Sequence, residues 1–280
     1  MRCFSVFLLA LLAACGGAGP SDPSPQGNLD PDVPPITLGS WYRPAADVDW
    51  QWQLDGTPNL AYAVELYDLD LFESPAGTAA TLAGQGRRLV CYFSAGSAEN
   101  WRSDYGRFTA SDLGGAVPGW PGERWLDIRS ANVQDVMLAR LDSAVARGCA
   151  GVEPDWLHNF QLGTGFPITA RDQLAYNRFL ANAAHTRGLA IALKNDLDQV
   201  TDLVDYFDFA VNEQCHQYTE CDLYAPMVAA GKPVLNAEYA SRWANNAAAR
   251  DSLCAASAAE GLRTLVLPVA LDDSFRHACP

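Results

Sequence analysis

Two patterns alternate along the chain: short apolar runs, and stretches whose apolar residues recur every three to four positions. They predict strands and helices in turn. Eight runs read as strands, over Asp49–Leu54, Ala61–Leu66, Arg88–Phe93, Ala150–Glu153, Ala190–Lys194, Phe207–Asn212, Pro233–Asn236 and Thr264–Pro268. Of the helical stretches, Val133–Arg147 is the clearest, with Val133, Val136, Met137, Leu141 and Val145 on one stripe. Gln173–Arg187, Leu223–Ala230 and Ala244–Glu260 behave similarly, and Gly148, Gly188, Gly231 and Gly261 stand just past the helices, as C-terminal caps do. Repetition of strand, helix, glycine, strand predicts a parallel α/β fold. Because no G-x-G-x-x-G follows any strand, a single (β/α)8 TIM-type barrel is favoured over a doubly wound sheet. Asp55–Leu60 is too short for a crossover helix. Ser94–Ser130 is the longest loop, and its Trp101, Tyr105, Trp120 and Trp125 predict an aromatic wall or lid.

The N-terminus follows another pattern. Arg2 precedes an apolar run from Phe4 to Leu12, broken only by Ser5 and too short to span a bilayer. It ends in Leu12-Ala-Ala-Cys15, which resembles the bacterial lipobox, whose cysteine is lipidated. An ordinary cleaved signal peptide with an incidental cysteine fits less well, since small residues and the cysteine fall together. Residues 1–14 are therefore expected to be a lipoprotein signal peptide, with Cys15 as the lipidated residue and residues 15–39, rich in Gly, Pro, Ser and Asp, as a tether. Residues 40–280, about the usual size of one such barrel, form the expected barrel domain. That arrangement implies a monomer in the bacterial cell envelope, touching the membrane only through its N-terminal lipid.

A formal net charge of −14 argues against nucleic acid as a partner and permits a cationic one. Besides Cys3 and Cys15 there are six cysteines, which in an exported chain read as disulfides with fifteen possible connectivities. Cys215 and Cys221 enclose a short loop, Cys254 can pin Cys279, and Cys91 then falls to Cys149. With no C-x-x-C, and with His158, His185, His216 and His277 at no ligand spacing beyond the adjacent Cys215-His216, neither metal nor cofactor is expected.

Polar residues gather where the predicted strands end: Asp68 and Asp70, Tyr92, Glu153 and Asp155, Lys194-Asn195-Asp196, Asn212-Glu213, and Glu238-Tyr239. In a barrel all of these face one mouth. Carboxylates among aromatics suit glycosidic bond cleavage, where one carboxyl protonates the leaving oxygen while the other attacks or activates water. Asp70, Tyr92, Glu153, Lys194, Asn195, Asp196, Glu238 and Tyr239 are thus candidate substrate-binding residues. Plainer roles compete: Asp196 as a helix cap, Lys194 as a partner of Glu153, Asp68 and Asp70 as solvated loop residues. For Glu153 and Asp155 the plainer role is weaker, because they flank a proline directly after a buried run.

Cys91-Tyr-Phe-Ser-Ala-Gly-Ser97, Gly119-Trp-Pro-Gly-Glu-Arg-Trp-Leu-Asp-Ile-Arg129, Gly151-Val-Glu-Pro-Asp155, Leu193-Lys-Asn-Asp-Leu-Asp198 and Val211-Asn-Glu-Gln-Cys215 occur in that order. Together they resemble glycoside hydrolase family 114, the endo-α-1,4-polygalactosaminidases, from about Trp50 to the C-terminus. The resemblance implies a (β/α)8 barrel that cuts chains of α-1,4-linked galactosamine, a cationic amino-sugar polysaccharide. It also implies a catalytic Asp after the fourth strand and a catalytic Glu after the sixth, here Asp155 and Glu213. Trp156 departs from the family pattern, where Asn is expected, and Leu157-His158-Asn159 is also unusual. Two other readings are a lipid-anchored carbohydrate-binding protein without catalysis and a glycosidase for a different amino-sugar polymer; a pure binder could dispense with either carboxylate, and both are present.

Overall fold

The computed structural model describes residue 27 and residues 29–280, so the apolar leader and Cys15 lie outside the described residues. In chain order the strands are β1 (Trp50–Gln53), β2 (Leu66–Asp70), β3 (Arg88–Ser94), β4 (Ser97–Glu99), β5 (Leu113–Ala116), β6 (Glu123–Leu126), β7 (Gly151–Asp155), β8 (Ala190–Lys194), β9 (Phe209–Glu213), β10 (Val234–Glu238), β11 (Leu262–Val266) and β12 (His277–Ala278). Strands β1, β2, β3, β7, β8, β9, β10 and β11 pair parallel in that order and curl into the predicted barrel.

Six of the eight barrel strands fall close to where the apolar runs place them. The second, expected over Ala61–Leu66, begins where that run ends, and the eighth, expected over Thr264–Pro268, starts two residues earlier. Asp68 and Asp70 read as loop residues because they are charged, yet they are 0% and 4% exposed within β2. The reason is the register, which aligns Leu66 with Arg88 and Asp70 with Tyr92.

Alternation along each strand divides the core in two. Trp50, Trp52, Leu66, Val90, Ala192, Phe209, Val211 and Ala237 pack inside the barrel. Tyr67, Leu69, Cys91, Val152, Ile191 and Ala210 instead meet the helices outside, including Ala131–Arg147 and Ala170–Thr186. The first helix stops at Gly148, whose φ of 81° is natural only for glycine. The stretch expected as one helix over Ala244–Glu260 is broken into Ser241–Asn245 and Ala247–Glu260, because Asn246 turns extended and its side chain accepts from Ala249 N at 3.1 Å. Leu223–Ala230 is likewise shared between a 3-10 turn, Cys221–Tyr224, and the short helix Ala225–Ala229.

Among the described residues, no ladder joins β11 to β1. The edge of β11 pairs antiparallel with β12, and the seam is bridged by side chains. Trp50 Nε1 donates to Arg263 O at 2.9 Å, Arg263 Nε to Val48 O at 3.2 Å, and Arg276 Nη2 to Trp50 O at 2.8 Å. All three expected disulfides are present: Cys91–Cys149, Cys215–Cys221 and Cys254–Cys279. The last ties the segment carrying β12 to the helix Ala247–Glu260. Replacing Cys254 and Cys279 together by serine should therefore cost about 2–4 kcal/mol and release the amide of Val266, which faces β12, to hydrogen exchange ahead of the other strands. Unchanged melting and protection would show that the seam does not depend on this staple.

The tether expected over residues 15–39 is, from residue 29 onward, bound to the barrel wall. Ile36 N donates to Asn182 Oδ1 at 2.9 Å, Asn182 Nδ2 donates to Pro34 O at 2.9 Å, and Tyr206 OH donates to Val33 O. Proline-rich backbone lacks donors for a sheet, but its carbonyls still accept from side chains on neighbouring helices. The long loop Ser94–Ser130 holds the antiparallel sheet β4-β6-β5. None of the described helices is long and apolar enough to cross a membrane.

Candidate active site

Period-two alternation brings the site together. Glu153 and Asp155 in β7 share the inward face with Ala192 and Lys194 in β8 and with Val211 and Glu213 in β9. At the centre lies Lys194, whose side chain is only 2% exposed. Its Nζ is 3.1 Å from Glu153 Oε1, 3.2 Å from Asp155 Oδ1 and 3.3 Å from Glu213 Oε2. The contact with Asp155 is a hydrogen bond; that with Glu153 is an ion contact without hydrogen-bond alignment. Trp52 closes the floor, its ring 4.8 Å from Nζ. Burial alone would push the Lys194 ammonium down, but the carboxylates of Asp155, Glu153 and Glu213 outweigh it and hold its pKa well above the usual lysine range.

Each outer carboxylate has a tyrosine. Tyr92 OH donates to Asp155 Oδ2 at 3.0 Å, and Tyr239 OH donates to Glu213 Oε1 at 2.6 Å. Burial and the neighbouring carboxylates push both phenols well above their ordinary values, so both stay protonated donors. Asp155 Oδ1 also accepts from Trp156 N at 2.8 Å. Beneath the pair, Glu153 is fully buried and its pKa is pushed up to about 7, by burial and by Asp155 against the opposing pull of Lys194. Burial, with Glu153 adding to it, also raises the neighbouring Asp68 well above the ordinary carboxylate range.

Backbone at the mouth is unusual. Trp156, Asn195, Asp196 and Gln214 follow β7, β8 and β9 with φ of 61°, 51°, 52° and 68°. Non-glycine residues adopt such left-handed geometry uncommonly, and clusters of them mark functional sites. In Trp156 it turns the indole toward Trp125, 4.7 Å away edge-on, and His158, 5.8 Å away. Gly96 lets the loop after β3 approach: a Cβ there would stand 2.2 Å from Trp156 O. The imidazole of His158 is kept below its usual pKa by burial, which outweighs Asp155. Of the four aromatics expected to wall the cleft, Trp125 reaches this group, whereas Trp101 and Trp120 remain about half exposed, at 50% and 53%.

Several predicted binding residues are not brought to the cleft. Asp70 is engaged by Arg102, with Nη2 2.6 Å from Oδ2 and Nη1 3.0 Å from Oδ1, and Arg102 also pairs with Glu99. Asp196 is buried against Asn177 of the helix Ala170–Thr186. It does occupy the N-cap position of the 3-10 turn Leu197–Gln199, but its side chain makes no cap hydrogen bond there. Glu238 is on the opposite face of β10 from Ala237 and Tyr239. There it accepts from His216 N at 2.8 Å, beside the short helix Cys215–Tyr218. Asn195 is at the mouth, but its Oδ1 is occupied by Glu213 N at 3.0 Å and Asn212 Nδ2 at 3.2 Å, so it braces the end of β9. Lys194 is similarly a counter-ion below the carboxylates. Arg102, which neutralises Asp70, escapes sequence reasoning because it lies in the long loop with no pattern to point it inward. Cys215, His216 and Cys221 come within metal-ligand distance of one another, but both sulfurs are in the disulfide.

A family model described as Glycoside-hydrolase family GH114 matches residues 33–280. The chain belongs to this family. A glycoside hydrolase fold with carboxylates at the ends of β7 and β9 is accordingly what the barrel holds, and the enzyme class follows. Among solved structures, Ega3 of Aspergillus fumigatus in complex with galactosamine is 38% identical, with a TM-score of 0.81 over 86% of this chain and 99% of that one. The glycoside hydrolase domain of PelA from Pseudomonas aeruginosa shares the fold at 17% identity and a TM-score of 0.63, over 80% of this chain and 96% of that domain. An uncharacterized protein of Deinococcus radiodurans is 28% identical over 273 residues, covering 84% of this chain and 87% of that protein.

Proposed function

We propose that this family 114 enzyme is an endo-acting hydrolase of α-1,4-linked, partly deacetylated galactosamine polymers, with Asp155 and Glu213 as its catalytic pair. The observation that carries the reading is Lys194 held between both carboxylates, each with its own tyrosine donor, at the barrel mouth. The likeness to Ega3, solved with galactosamine, supports the choice of sugar.

In this reading Asp155, oriented by Tyr92, Trp156 N and Lys194, is the nucleophile. Glu213, its side chain 31% exposed, reaches the leaving group. In its protonated form the Glu213 carboxyl gives its proton to the glycosidic oxygen as the C1–O bond breaks, and an Asp155 oxygen takes C1 as a glycosyl ester. Glu213 then removes a proton from water, which attacks C1 and frees Asp155. The facing oxygens share one ammonium at 3.2 and 3.3 Å, so they cannot be farther apart than those two lengths end to end. That lies at or inside the lower edge of the roughly 6.5–9.5 Å that inverting enzymes use to seat a water, and favours retention.

Partly deacetylated poly-galactosamine tests reaction and substrate together. We expect a falling ladder of oligomers and affinity that declines as salt screens ammonium groups from the carboxylates, over about 10 Å at 0.1 M. Release of single sugars only, or equal affinity for fully acetylated chains at every salt concentration, would overturn this substrate assignment.

A further inference from the structure

Beside the catalytic pair, a cavity of 370 Å³ opens between the loops after β9 and β10, lined by Gln214, Gln217, Tyr239, Ser241, Arg242 and Val269. It is continuous with the site, since Tyr239 bonds Glu213 and Gln214 follows it. Its chemistry differs sharply from that of the centre. Around Lys194 three carboxylates surround one cation, an environment that attracts an ammonium group. In the cavity lining there is no carboxylate, and the only charge is Arg242, an exposed guanidinium steadied over the Trp243 ring at 4.1 Å. Glu238 is near enough to feel that guanidinium but is fully buried, so an ammonium entering the cavity would meet Arg242 as the one charge of the lining. Neutral groups are better served: Arg242 offers donors to a carbonyl, and Val269, 71% exposed, offers apolar surface to a methyl.

We propose that this cavity is a subsite for an N-acetylated galactosamine unit, adjoining a catalytic centre that takes the free amine. The acetamido oxygen accepts from Arg242 and its methyl lies on Val269. The inference rests on reading the cleft as one that cuts galactosamine chains. It makes the enzyme selective for boundaries between acetylated and deacetylated units.

The test is digestion of an α-1,4-galactosamine polymer acetylated at random, with the new chain ends sequenced by mass spectrometry. Acetylated units should be enriched several-fold at one of the two new ends, and Arg242→Glu should bring them down to, or below, their frequency in the polymer. New ends that mirror the polymer on both sides, or enrichment that persists in Arg242→Glu, would overturn the subsite. No cleavage of any mixture would strike at the hydrolase reading instead. The subsite is then decided by backbone NMR, where N-acetylgalactosamine should perturb Gln217 and Ser241 and galactosamine should not; equal perturbation by both sugars rejects it.

Discussion

Asp155→Asn and Glu213→Gln should each lower turnover of the galactosamine polymer on the order of 10³-fold, within the span seen for loss of a positioned acid, base or nucleophile. The folded structure should survive both changes, since each amide keeps the size of the carboxyl and can still accept from Tyr92 or Tyr239. Polymer affinity should weaken only modestly, because one of several negative charges is lost. The two variants should also differ. With an activated substrate whose leaving group needs no proton, Glu213→Gln should recover the first step, whereas Asp155→Asn should not. Near-normal activity in either variant, with loss in Glu153→Gln or Glu238→Gln, would mean that the catalytic carboxylate is another one.

Lys194→Met should be the most damaging single change for stability as well as for turnover. It leaves Glu153, Asp155 and Glu213 around a hole with no cation, and breaking a buried ionic cluster in this way costs about 3–5 kcal/mol. The loss should depend on pH, because carboxyls can escape it by taking up protons; denaturant melts at pH 5 should show a smaller deficit than at pH 7. Glu153→Gln added to Lys194→Met should restore part of the stability, and the double-mutant cycle measures their coupling. A Lys194→Met protein as stable as the parent at pH 7 would remove the ammonium from its place as organising charge. Glu153 has its own signature. Its folded pKa, about 7, lies above the ordinary carboxyl value of 4.5, so the stability it contributes is complete below that lower value. It declines as pH rises through about 7. In Glu153→Gln that decline should flatten.

The sequence by itself determined the order of the barrel strands, the three disulfide pairings and the placing of carboxylates at strand ends, while the choice of Asp155 and Glu213 among them is what the resemblance to family 114 implies. These follow from local rules: apolar runs bounded by glycine caps specify strands, and two-residue spacing puts Glu153 and Asp155 on one face whatever the rest of the chain does. The same parity turns Glu238 away from Tyr239, because neighbours in a strand point to opposite sides, but the apolar run Pro233–Asn236 stops two residues short of Glu238 and does not carry the alternation that far. Only the tertiary structure decided that Asp68 is buried in β2 rather than solvated in a loop, since pairing with β1 and β3 sets that register. It also decided that Arg102 neutralises Asp70 from 32 residues away and that the segment from Leu29 to Ile36 packs on the wall. Lys194 shows the difference most clearly. Its pairing with Glu153 was conceivable from composition, but its place between Asp155 and Glu213 depends on three adjacent strands held a few ångströms apart. Coulomb energy falls with distance and rises as water is excluded, and neither quantity is written in residue order.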